Sequence, residues 1–283
     1  EIFIAEMGAR KRHQIEELRQ LDKVCSGEHN ATLDENARIR IYQYVKYIYK
    51  SFIIDYDYQK RGKDCVVFLH GWGGNKNSFD ECDPFVKNFS TLKISFPPNK
   101  SYASHQALSM LDYKNIVGNI LKLLNIREPI VVCHSFGCRV ALLLNRDILV
   151  KKLVICSGAG IKPRTKKLNG LNSTKKWLDN RDLHFKNVLG STDYLALKNI
   201  DKTTFKNVVN LDLKILVKDI SCPTLIYWGK RDKETPMYMC SYFHKHIEKS
   251  RCIITNYGHF AYLENRQNFC YELKKFLGEK HDN

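Results

Sequence analysis

The chain has 283 residues, 43% hydrophobic and 27% charged, which excludes a disordered chain and bounds it at one large domain or one domain with an extra segment. No apolar run approaches the ~18 residues needed to span a bilayer, and the stretch beginning Glu1-Ile2-Phe3-Ile4 lacks the pattern of a signal peptide. The net charge is +16, but the clusters Arg10-Lys11-Arg12, 162–167 and Lys175-Lys176 lack interleaved aromatics, so no nucleic-acid partner is expected and contact with a membrane surface is only weakly supported.

Residues 1–45 read as a helical extension, with amphipathic patterns over 14–24 and 33–44, the second capped by Thr32. Strand-like runs then follow at 47–49, 52–58, 65–69, 92–96, 130–133, 152–156, 224–228 and 252–255. The first two are close enough for an antiparallel hairpin. From the third onward they are rich in Val, Ile and Leu and mostly apolar throughout, as strands buried on both faces are. Helical patterns alternate with them at 77–89, 113–124, 136–145, 236–248 and 267–277. This alternation predicts a doubly wound α/β sheet with helices on both faces. More than sixty residues separate Cys156 from Thr224 without a clear strand, so 160–219 is expected to be a mostly helical cap inserted after the sixth strand. Residues 46–159 and 220–279 form the expected core.

The ten cysteines include no CxxC pair, and Cys65, Cys133, Cys156 and Cys252 lie in apolar runs. They read as free thiols of a reduced, cytoplasmic protein. His244 and His246 are two apart on a predicted helix and face different ways, a poor metal pair. No cofactor and no metal are expected.

Four motifs carry chemistry. In Ile130-Val131-Val132-Cys133-His134-Ser135-Phe136-Gly137, an apolar strand runs into a serine and then a helix, the pattern of a nucleophile elbow, G-x-S-x-G, with Cys133 in place of the first glycine. A glycine-rich loop, His70-Gly71-Trp72-Gly73-Gly74, follows the third strand. It would supply one oxyanion N–H, at Trp72, beside the N–H of Phe136 after the nucleophile. His70 reads as a structural residue that holds this loop. Asp232 follows the seventh strand in Trp228-Gly229-Lys230-Arg231-Asp232, and His259 follows the eighth in Tyr257-Gly258-His259. A carboxylate that orients an imidazole near its neutral pKa suits general-base work. All three side chains are expected at one edge of the sheet.

Residues from about 47 to 279 resemble the α/β-hydrolase superfamily, in particular its cap-bearing esterase branch with an HGWGG oxyanion loop. The order Ser135, Asp232, His259 is the order that this fold uses. The segments 190–194 and 204–210 are similar to the cap of hydrolases common in low-GC Gram-positive bacteria. The resemblance implies an α/β-hydrolase fold with a mostly parallel eight-stranded sheet. It also implies a serine hydrolase acting on a small-molecule ester or thioester, with Ser135 as nucleophile, His259 as base and Asp232 as its orienting acid. A serine at the elbow points away from the dehalogenases and epoxide hydrolases of the superfamily, which use aspartate there. C–C bond hydrolysis, acyl transfer or a non-catalytic binding role share the constellation and stay open. Pro97-Pro98-Asn99-Lys100-Ser101 replaces the usual P-G-F-G-x-S turn, which leaves substrate preference open. Residues 1–24 are similar to a short central-domain segment of Mur ligases, without a P-loop lysine motif. Acyl and alcohol preference and oligomeric state are not legible.

Overall fold

Continuous apolar strands have to be covered on both sides, and that requirement shapes the molecule. The computed structural model describes residues 45–50, 52–97, 107–162, 199–209 and 211–278. The expected N-terminal helices, the Mur-ligase-like segment, most of the 97–101 turn and the 163–198 part of the expected cap lie outside the described residues.

The strands are β1 (Val45–Tyr49), β2 (Phe52–Gln59), β3 (Cys65–Leu69), β4 (Ser90–Ile94), β5 (Ile130–His134), β6 (Lys152–Cys156), β7 (Thr224–Gly229) and β8 (Ser250–Thr255). They form an eight-stranded sheet in the order β1-β2-β4-β3-β5-β6-β7-β8. β1 pairs antiparallel with β2, and β2 with β4; every other pairing is parallel. β2 alternates buried and half-buried residues, whereas β3 to β7 are buried along their whole length. Of these, β3 and β5 read as the most continuous hydrophobic runs.

The helices are α1 (Met110–Leu123), α2 (Phe136–Leu144), α3 (Asn199–Val209), α4 (Lys214–Val217), α5 (Met237–His246), α6 (Ala261–Glu264) and α7 (Arg266–Gly278). On one face, Val67, Leu69, Val131, Cys133 and Ile155 pack with residues of α1, α2 and α5. On the other, Val66, Phe68, Val132, Val154 and Tyr227 pack with residues of α7 and of the 3₁₀ helix Lys76–Phe85. The two-residue period of a strand produces this division. Ser109 and Asp112 form a reciprocal cap at the start of α1, which stabilises a helix by about 1 kcal/mol.

Several boundaries differ from the sequence pattern, two of them with a visible cause. The fourth strand covers 90–94 rather than 92–96, because the N–H of Phe96 leaves the ladder and donates to His70 Nε2 at 2.9 Å. The helix expected at 77–89 is a kinked 3₁₀ helix, broken at Phe79 and carrying Pro84 inside. Residues 211–217, which fit strand or helix equally, contain α4. No helix among the described residues is long and apolar enough to cross a membrane.

Candidate active site

β5 delivers Ser135 and α2 begins immediately after it. Ser135 has φ 46° and ψ −110°, a backbone conformation that L-residues adopt only when their surroundings enforce it. Three contacts do so. Its N–H donates to the carbonyl of Cys156 at 3.1 Å, and its own carbonyl accepts from Cys138 and Ala159, both at 3.0 Å. Gly137 sits so close to the third strand that a Cβ there would lie 2.2 Å from the carbonyl oxygen of Leu69. Cys133 is fully buried, and its Sγ–H points at the carbonyl of Val154, 3.3 Å away, so a small thiol fills the place of the first glycine. The first N–H groups of α2 lack acceptors within the helix and carry its positive end. Phe136 is the first of them.

The glycine loop abuts this elbow. A Cβ on Gly71 would fall 2.5 Å from His134 Nδ1 and 3.4 Å from Ser135 Cβ. His70 holds the loop through both ring nitrogens. Nδ1–H donates to the Gly71 carbonyl at 2.6 Å, and Nε2 accepts from Phe96. Burial lowers its pKa to about 4, so the ring is neutral. The Trp72 ring packs edge-on against Phe136 at 5.3 Å, Tyr113 at 6.5 Å and Phe205 of α3 at 5.1 Å. α3 thus covers the glycine loop. Arg139 of α2 ties the end of α3 down by donating to the carbonyls of Val209 and Leu211.

Asp232 and His259 meet. His259 Nδ1–H donates to Asp232 Oδ2 at 2.9 Å, with the two side chains 7% and 0% exposed. The carboxylate also accepts from the N–H groups of Glu234 and Thr235 at Oδ1, both at 2.9 Å, and from Thr235 Oγ1 at Oδ2, at 2.7 Å. Burial pushes its pKa up. Hydrogen bonds from His259 and Thr235 outweigh burial, and the carboxyl rests below its ordinary range. Trp228 anchors this turn by donating Nε1–H to the Thr235 carbonyl at 2.8 Å. His134, next to Ser135, donates Nε2–H to the carbonyl of His259 at 3.1 Å, which ties elbow and histidine loop together. Burial, reinforced by the nearby His259, lowers the pKa of His134 to about 3, which keeps that ring neutral.

The other ring nitrogen of His259 faces an unexpected partner. Nε2 lies 3.2 Å from Glu234 Oε2, and no hydrogen bond joins it to Ser135 Oγ. The fold therefore unites Asp232 with His259 and brings the elbow beside them, but the link from imidazole to hydroxyl is unmade. Sequence reasoning missed Glu234, Thr235 and the tethering role of His134. Two of these lie within three residues of Asp232 and the third precedes Ser135, so proximity to those motifs was the available signal. Among the described residues, no group of three or more His, Cys, Asp or Glu side chains could hold a metal ion, and the cysteines are free thiols.

The sequence profile of the Alpha/beta hydrolase family matches residues 66–270. The uncharacterized hydrolase YugF of Bacillus subtilis (strain 168) is 22% identical over 224 residues, which cover 68% of this chain and 82% of that one. An esterase from Exiguobacterium antarcticum superposes with a TM-score of 0.63 at 19% identity, covering 80% of this chain and 96% of its own. The α/β hydrolase MGS-M2, from a Medee basin deep-sea metagenome, superposes with a TM-score of 0.67 at 19% identity, covering 84% and 98%. At such identities the solved structures speak for the fold alone.

Proposed function

Because the chain belongs to the α/β hydrolase family, and is a hydrolase, we propose that it cleaves a carboxylic ester or thioester of a small molecule through an acyl-enzyme on Ser135. The observation that carries this reading is the buried 2.9 Å contact between His259 Nδ1 and Asp232 Oδ2, beside a serine held at φ 46° between strand and helix.

The chemistry follows from those positions. With Nδ1–H committed to Asp232, neutral His259 presents its lone pair at Nε2. Nε2 takes the proton of Ser135 Oγ as Oγ attacks the acyl carbon. The N–H groups of Phe136 and Trp72 receive the charge that develops on the carbonyl oxygen; losing one such donor costs about 3 kcal/mol of the barrier. His259 returns the proton to the departing alcohol or thiol. Water then repeats the sequence and releases the acid. The described helix of the expected cap, α3, borders the acyl pocket in this reading, with Phe205 against Trp72.

A fluorophosphonate probe tests the reading. The protein should label covalently at Ser135, and the Ser135→Ala protein should not. An unlabelled wild type would instead favour a non-catalytic binding protein.

A further inference from the structure

The Glu234 carboxylate is an anomaly in this chain. Basic residues number 46 and acidic residues 30, yet among the described residues the ion partner of Glu234 is His259 rather than any Lys or Arg. Its backbone is fixed, because its N–H donates to Asp232 Oδ1. Its side chain is 37% exposed. Burial raises its pKa, His259 pulls the other way, and Asp232 adds to the rise.

The geometry restricts what this contact can be. Nδ1–H is already donated to Asp232. A neutral ring therefore has only a lone pair at Nε2, which repels a carboxylate 3.2 Å away. The contact is an ion-pair approach without hydrogen-bond alignment, so it sets a negative charge beside Nε2 without engaging its lone pair.

Nε2 is also the atom that hands a proton to the leaving group, so the leaving group must pass within hydrogen-bond reach of it. Glu234 lies beside that path. We propose that Glu234 is a specificity-determining residue on the leaving-group side, and that it selects esters whose leaving alcohol carries a positive charge. This rests on the serine-hydrolase reading. A cationic leaving group pairs with the carboxylate as it passes Nε2. A neutral one gains nothing from it, and an anionic one is repelled.

Three acetate esters of similar size test the idea: choline, 3,3-dimethylbutanol and 2-sulfoethanol, whose leaving groups carry +1, 0 and −1. The wild type should show kcat/KM falling in that order, by about fivefold per unit of charge at low ionic strength. Glu234→Gln should flatten the series and Glu234→Lys should reverse it. Both variants should still label with a neutral fluorophosphonate, which reports an intact elbow. A flat series in a labelling-competent wild type, or an unchanged series in Glu234→Gln, would overturn this inference alone. Failure of the wild type to label would overturn the serine-hydrolase reading and this inference with it.

Discussion

Two serines end neighbouring parallel strands with nearly the same positive φ. Ser135 follows β5 with φ 46°, and Ser157 follows β6 with φ 45°. Each donates its N–H across to the next strand, Ser135 to Cys156 and Ser157 to Tyr227. Beyond that they part. Ser135 is half-buried, opens a helix and stands beside the glycine loop. Ser157 is 1% exposed, leads into the coil Gly158-Ala159-Gly160, and its Oγ is buried without a hydrogen-bond partner among the described residues. The Ser157 carbonyl, not its hydroxyl, faces the site, 3.1 Å from Thr235 Oγ1, whose single proton goes to the nearer Asp232 Oδ2. A strained turn at a strand end therefore does not make a nucleophile. What sets Ser135 apart is the helix that opens behind it and the glycine loop beside it.

The largest expected effect separates the two positions outright. Ser135→Ala should lower kcat toward a nitrophenyl ester by about 10⁶. Ser157→Ala should keep turnover of the same ester far above that floor. Comparable losses at both positions would erase the distinction.

The next effect concerns the acid that only the elbow has behind it. Asp232→Asn should cost about 10⁴ in kcat, because the amide cannot hold the imidazole in the tautomer that leaves Nε2 free. The same carboxylate contributes to stability with a definite sign. Its folded pKa lies below the ordinary value, so its contribution is present above the ordinary carboxylate range and is lost as pH falls through the folded value. Urea midpoints measured from pH 7 down to pH 3 should fall more in the wild type than in Asp232→Asn. Parallel curves would contradict the hydrogen bonding described for Asp232.

The smallest effect sharpens the comparison from the other side. A non-glycine residue in this region costs about 1–3 kcal/mol, while glycine carries an unfolded-state entropy cost of about 0.5–1 kcal/mol. Ser157→Gly should therefore raise stability by roughly 1 kcal/mol, read as a higher urea midpoint. A decrease would mean that the Ser157 side chain contributes more than its contacts indicate.

Much of this was legible beforehand. Each of the eight strands overlaps a strand-like run of the sequence, and most of those covered on both faces leave a record of Val, Ile and Leu. The Ser135 elbow, the glycine loop and the positions of Asp232 and His259 were legible as well, since each follows the C-terminal end of a strand. The kink at Phe79 and the early end of β4 were not. Both follow from where particular N–H groups find acceptors, and that depends on side chains distant in sequence, such as His70.

The sequence by itself determined the alternation of strands and helices, hence the sheet, and hence the single edge at which Ser135, Asp232 and His259 emerge. Periodicity and chain order suffice for that, because a buried parallel sheet allows few ways to connect its strands. Only the tertiary structure decided which partner each nitrogen of His259 meets. The turn after Asp232 folds its N–H groups onto the carboxylate and directs Glu234 across to Nε2. That outcome depends on three-dimensional packing around one imidazole, and no spacing in the chain encodes it.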